Sequence, residues 1–122
     1  MLNDQLTEKI IKCAYAVHNV LGFGFLEKVY ENSMVIELSK LGLAAKQQHP
    51  ITVKYRGQEV GNYLADLLVE NEIVVEIESV TALAKEHEVQ LVNYLKATGK
   101  PVGLLINFGR SVEVKRKHRD PK

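Results

Sequence analysis

The stretch Tyr63-Leu64-Ala65-Asp66-Leu67-Leu68-Val69-Glu70-Asn71-Glu72-Ile73-Val74-Val75-Glu76-Ile77-Glu78 decides the fold. Residues 63–69 and 73–78 are aliphatic runs of strand length, and polar Glu70-Asn71-Glu72 has the size of a tight hairpin loop. A loop centred on Asn71 sets equidistant residues face to face, so Asp66 lies across from Glu76. Strand side chains alternate faces, which turns Glu78 the same way as Glu76 and sends Val75 and Ile77 into the opposite layer. One face of the hairpin then carries three acids. Like charges opposed in a sheet are destabilising, more so where helices desolvate them. Either the pairing slips or the acids reach solvent at a strand end, or a hard divalent cation sits among them. Mg²⁺ or Mn²⁺ takes oxygen ligands and accepts one or two carboxylates together with substrate phosphate, which suits phosphodiester hydrolysis.

Working outward, Leu6, Ile10, Ile11, Ala14, Val17 and Leu21 recur at helical steps, with Asn3 or Asp4 as a cap and Gly22-Phe23-Gly24 as the stop. A second helix is expected over 27–41, burying Val29, Met34, Ile36, Leu38 and Leu41 and ending at Gly42. From His49 the period changes to two, with Ile51, Val53 and Tyr55 alternating with polar residues before the turn Arg56-Gly57-Gln58. Helical spacing returns over 82–98, with Leu91, Val92 and Leu95 inward and Gly99-Lys100-Pro101 at its end. Residues 102–108 are nearly all apolar, as in a strand buried on both faces, and 112–115 form a last strand beside it. The order ααβββαββ predicts an α+β domain, a small mixed central sheet flanked by helices, spanning 1–122 as one unit.

Sixteen Lys plus Arg against fifteen Asp plus Glu give a net charge near +1, so any nucleic-acid surface is a local patch rather than a whole-molecule field. The run Lys115-Arg116-Lys117-His118-Arg119 reads as a solvated terminus or, less often for such tails, a phosphate contact. Cys13 is the single cysteine, which excludes an intramolecular disulfide and an all-cysteine metal site and fits a reducing cytoplasm. No apolar segment reaches the roughly 18 residues of a membrane span, so no membrane association is expected. No glycine-rich phosphate loop points to a nucleotide cofactor.

Gly24-Phe25-Leu26-Glu27-Lys28-Val29-Tyr30 carries the glycine, acid and tyrosine of the GxxExxY signature. It is followed in order by Asp66, Glu76-Ile77-Glu78 and Gln90-Leu91-Val92-Asn93-Tyr94. Each piece alone is weak; their order and spacing over nearly the whole chain are the specific part. The sequence resembles the GxxExxY proteins of the PD-(D/E)XK nuclease superfamily, which have a restriction-endonuclease-like core related to the RecB-type exonuclease branch. The resemblance implies that Asp66 and Glu76 bind Mg²⁺ or Mn²⁺, that Glu27 is a further acid from a helix, and that His18 is a ligand. On the residues alone, a lone histidine on an amphipathic helix is more often a hydrogen-bonded structural group. Gln90 and Tyr94, four apart on one helical face, are implied to position substrate together with Tyr30; the alternative for Tyr94 is helix-to-sheet packing with a partnered hydroxyl. His87 and Glu86, a turn earlier, can join either arrangement.

The resemblance breaks at Glu78, where the motif ends in lysine. A carboxylate there can bind a second metal ion or act as a general base, as certain restriction endonucleases of this fold also have an acid at that place. Lys85 can supply the missing cation from the next helix, and Lys46, Lys54 and Arg56 can line a phosphate track, although exposed lysines are more often simply solvated. The expected function is a metal-dependent nuclease acting on DNA. The alternative is a catalytically inactive relative that binds nucleic acid or a protein partner. Phe23 and Phe25, apolar in a loop, are compatible with a homodimer under either.

Overall fold

Residues 4–119 are described by a computed structural model. Its centre is set by the most apolar segments: β3 (Ile73–Glu78) runs parallel to β4 (Val102–Phe108), every residue of which is buried. Parallel neighbours need a crossover, and α3 (Lys85–Thr98) supplies it, stopping at Gly99 in the left-handed region (φ 73°). On one side lie β2 (Gln58–Val69) and β1 (Ala45–Tyr55), and on the other β5 (Val112–His118), all joined antiparallel in the order β1-β2-β3-β4-β5. Helices α1 (Asp4–Leu21) and α2 (Glu27–Lys40) cover one face over Leu67, Val69, Val75, Ile77, Leu104 and Ile106. Helix α3 covers the other over Ile51, Ala65, Leu68, Val74 and Leu105. The mixed sheet and the order ααβββαββ are as expected.

Four boundaries and one buried face differ from expectation. Strand β1 begins at Ala45, ahead of the alternating stretch, because Ala45, Lys46 and Gln47 already pair with Val69, Leu68 and Leu67. Strand β2 likewise starts at Gln58, directly after the Arg56-Gly57 turn, so these two strands form one long hairpin. Helix α3 starts at Lys85 rather than near residue 82: residues 80–82 form a bend that Asn107 clamps to β4, its Oδ1 accepting from Val80 N (3.0 Å) and its Nδ2 donating to Val80 O (2.9 Å). The basic run is not a solvated tail. It extends β5 to His118, with Arg116 donating to Asp4 Oδ1 (2.8 Å) and Lys117 paired to Glu88 (2.6 Å). Asp4 opens α1; Asn3, the other cap considered, lies outside the described residues.

Helix α2 is rotated relative to expectation. Met34 and Leu38 are buried, but Val29, Ile36 and Leu41 are exposed, and their inward places are taken by Tyr30 and Glu31. Tyr30 stacks on Phe108 at 4.5 Å between ring centroids, donates to Gly22 O (2.6 Å) and accepts from Phe25 N (3.3 Å). This latch sets the face that α2 presents to the sheet. Gly42, at φ 74°, ends the helix as expected.

Helix α3 comes close to the sheet at Gly103. A Cβ there would lie 2.7 Å from Leu91 Cδ1 and 3.1 Å from Val74 O. Because Leu91 is fully buried and Val74 O is backbone, neither yields freely. Gly103→Ala is expected to destabilise the fold by roughly 1–3 kcal/mol, read as a lowered urea midpoint with unchanged slope.

Candidate active site

The β2–β3 ladder pairs Val69 with Ile73, Leu68 with Val74 and Leu67 with Val75, so the hairpin is centred on Asn71 as its sequence implies. Asp66 and Glu76 come next, but there the ladder stops. Asp66 N donates to Glu76 Oε2 (2.8 Å), and Ile77 N donates to Asp66 Oδ2 (2.8 Å). Each carboxylate thus accepts from a backbone amide of the opposite strand, and the two acids fill the wedge where the strands part. Strand β2 also changes face here. Ala65 and Leu68 both pack under α3, which strict alternation forbids for residues three apart. Asp66 stands between them, opposite Gln48, which has a φ of 52° and is where the β1–β2 pairing is interrupted. The acids are therefore not a plain row on one face, because Asp66 sits at a kink and reaches groups from α2.

The group it reaches is Glu31, only 2% exposed. Gln48 Nε2 bridges the two, donating to Glu31 Oε1 (2.8 Å) and, weakly, to Asp66 Oδ1 (3.5 Å). Gln47 Nε2 donates to Glu31 Oε2 (2.7 Å), and Lys28 pairs with the same oxygen (3.0 Å). These donors satisfy a carboxylate whose burial would otherwise be costly. Burial raises the Asp66 pKa and Glu31 adds to the rise, while the Ile77 amide, Gln48 and Lys28 oppose it. Glu76 is pushed up to about 8, chiefly by burial and then by Asp66, with Glu78 and Glu31 contributing.

Glu78 turns to α3. His87 Nδ1 accepts from Ala84 N (3.0 Å) at the start of the helix, which leaves the proton of a neutral ring on Nε2, 3.5 Å from Glu78 Oε1. Burial raises the Glu78 pKa; His87 opposes the rise, and Glu27 and Asp66 add to it. Ser79 Oγ donates to Phe25 O (2.6 Å), which ties the loop after α1 to the same strand end.

The donor set is all oxygen and strongly anionic, as a hard divalent cation requires. Among the described residues, no three His, Cys, Asp or Glu side chains converge as an ion's ligands. The reason is local: one oxygen of Asp66 and one of Glu76 face amides, and Glu78 faces His87. Glu76, whose carboxyl burial and Asp66 push furthest toward the protonated form, is the acid whose charge a cation would restore.

The sequence profile described as the PD-(D/E)XK nuclease superfamily matches residues 4–118. The chain belongs to that superfamily. Solved structures share its fold, two of them as follows. The crystal structure of SSO0001 superposes with a TM-score of 0.61 at 16% identity, covering 98% of this chain and 60% of that one. An alkaline exonuclease from Laribacter hongkongensis superposes at 0.50 with 13% identity, covering 93% of this chain and 82% of the exonuclease. The chain thus spans about three fifths of the length of SSO0001. No curated protein sequence matches it. PD-(D/E)XK nucleases generally use divalent metal ions.

Within this superfamily fold the other expected residues divide. Glu27 is exposed at the start of α2, near enough to Glu78 to raise its pKa. Gln90 Nε2 donates to the Tyr94 hydroxyl (2.6 Å), and Tyr94 is 6% exposed, so the pair shares one helical face as expected while the ring also packs on the sheet. Tyr30 is corrected: its ring has no exposed surface and its hydroxyl is engaged by the loop, leaving nothing to touch substrate. His18 is also not brought to the acids. Its Nε2 donates to Gly109 O (2.7 Å), anchoring the last turn of α1 to the β4–β5 turn. Lys85 is exposed, and its charge acts on Glu88; the lysine that acts on the acids is Lys28. Lys54 lines a groove beside α3, Lys46 is exposed near the hairpin loop, and Arg56 lies 5.4 Å over the Tyr55 ring. Glu31, Lys28 and Gln48 were not singled out by sequence. The available signal was the spacing of Glu27 and Glu31, which places both on one helix face.

No helix among the described residues is long and apolar enough to cross a membrane.

Proposed function

We propose that the chain is a Mg²⁺- or Mn²⁺-dependent nuclease that hydrolyses phosphodiester bonds in DNA, with Glu78 at the place of the motif's lysine. The observation that carries this reading is the reciprocal contact of Asp66 and Glu76 in the wedge between β2 and β3, with Glu31 and Glu78 acting on the same acids. Asp66 and Glu76 are the residues to hold the ion. Bound there, it would polarise a phosphoryl oxygen and lower the pKa of a water.

Glu78 then takes the proton of the attacking water. Its raised pKa brings a carboxylate toward the range useful for a general base at neutral pH, and His87 Nε2 stands 3.5 Å from its Oε1. Asn107, clamped to Val80 just beyond β3, keeps that strand end in place. Lys28, paired to Glu31, is the positive charge from α2 that partly offsets the acids. The finer likeness to GxxExxY proteins fits these positions, since Glu27 acts on Glu78 and Tyr30 latches the loop that precedes it.

The experiment is cleavage of labelled single- and double-stranded DNA with Mg²⁺ or Mn²⁺, comparing the intact protein with Glu78→Gln and Glu78→Lys. The intact protein is expected to cut, and Glu78→Gln to cut more slowly by on the order of 10²–10⁴. No cutting by the intact protein, with activity gained by Glu78→Lys, would instead identify a nuclease fold retired from catalysis. Silence in all three would favour a binding role for nucleic acid or a protein partner.

A further inference from the structure

Beside α3, the distal half of the β1–β2 hairpin and the helix enclose a groove of about 840 Å³. Its walls include Lys54, Tyr63, Gln90, Asn93, Tyr94 and Lys96, and among its lining residues there are two lysines and no carboxylate. In a chain of nearly balanced charge, that is a local preference for an anion. Tyr63 is half exposed, and its ring is held from two sides. A Cβ at Gly61 would stand 3.4 Å from Tyr63 Cε2, so the ring lies along its own strand against Gly61. Tyr94 flanks it at 5.6 Å between centroids, tilted by 44°. The groove adjoins the acids through Tyr94, which packs in one cluster with Ala65, the residue before Asp66.

A held aromatic ring with an exposed surface, flanked by lysines and side-chain amides, matches a base and its phosphates. A base offers its flat face to a side chain only when it is not stacked inside a duplex. We propose that this groove receives single-stranded nucleic acid leading to the acidic site, with a base stacked on Tyr63 and phosphates at Lys54 and Lys96. The direction toward the acids rests on the nuclease reading; the binding itself is separable from it.

The test is fluorescence anisotropy of labelled oligo(dT) and of a duplex of equal length, with the intact chain in chelator so that nothing is cut. Oligo(dT) is expected to bind more tightly than duplex. Tyr63→Ala is expected to weaken oligo(dT) binding about tenfold, while Tyr63→Phe, which keeps the ring, binds as the intact protein does. Replacing Lys54 and Lys96 by alanine is expected to flatten the plot of log affinity against log salt by about 0.7 per lysine. Circular dichroism of each variant separates lost binding from lost folding. Equal affinity for duplex, no binding of either form, or binding that no variant alters would overturn the groove assignment. Restoring Mg²⁺ to the same samples then decides the rest: DNA cutting leaves the nuclease reading standing without the groove, and no cutting removes both.

Discussion

Asp66→Ala is expected to lower metal-dependent DNA cleavage by at least on the order of a hundredfold, with a matching loss of Mn²⁺ affinity in calorimetry. The residue joins everything at the site: it accepts from Ile77 N, its amide donates to Glu76, and Gln48 links it to Glu31. Its removal has opposing effects on the fold. Ile77 N loses its partner, a penalty of about 1–3 kcal/mol if the amide stays dry. Glu76 loses the second-largest cause of its raised pKa, which relieves repulsion. Net stability should change less than activity. Asp66→Asn makes the distinction sharper, because an amide oxygen can still accept from Ile77 N while the charge is gone. If Asp66→Asn folds normally and fails to cut or bind Mn²⁺, the charge is what the site needs. If it cuts as the intact protein does, Asp66 is a structural acceptor and the proposed ion site is wrong.

The hairpin was legible because it depends on local facts: two aliphatic runs, a three-residue polar loop, and symmetry about Asn71. That symmetry foretold the meeting of Asp66 and Glu76, since pairing registers propagate from the turn. It did not foretell that the ladder would end there, because the kink at Asp66 depends on Gln48 in another strand. Glu31 was hidden for a similar reason. A glutamate in mid-helix reads as solvent-facing until Gln47 and Gln48, sixteen and seventeen residues later, supply the donors that make its burial tolerable. The basic run misled in the opposite sense. Val112, Val114 and Arg116 alternate with Glu113, Lys115 and Lys117, a strand period that its charge obscured, and Arg116 and Lys117 find acids in α1 and α3. For His18 and Tyr30 the family resemblance implied a functional role, but carbonyl partners at Gly109 and Gly22 engage them within the fold.

Glu76→Gln is expected to stabilise the chain above pH 8 and to flatten its stability profile between pH 5 and 9. Folding raises this carboxyl from the ordinary glutamate value of 4.5 to about 8. Between those values the folded chain keeps a proton that the unfolded chain has released. The group's contribution is therefore complete below pH 4.5 and is lost as pH rises through 8, by roughly a few kcal/mol if the other acids stay as they are. Glutamine removes the titration while its side-chain oxygen can still accept from Asp66 N. Thermal melts in chelator at pH 5 and pH 9 should therefore diverge for the intact protein and converge for Glu76→Gln. Mg²⁺ or Mn²⁺ supplies the opposite case: a cation held by Asp66 and Glu76 favours the ionised carboxyl, so it should raise the melting temperature of the intact protein most at pH 9 and that of Glu76→Gln little. A metal-induced rise equal in both proteins would place the ion elsewhere, and an intact protein whose melting temperature is the same at pH 5 and pH 9 in chelator would mean that Glu76 is already ionised without one.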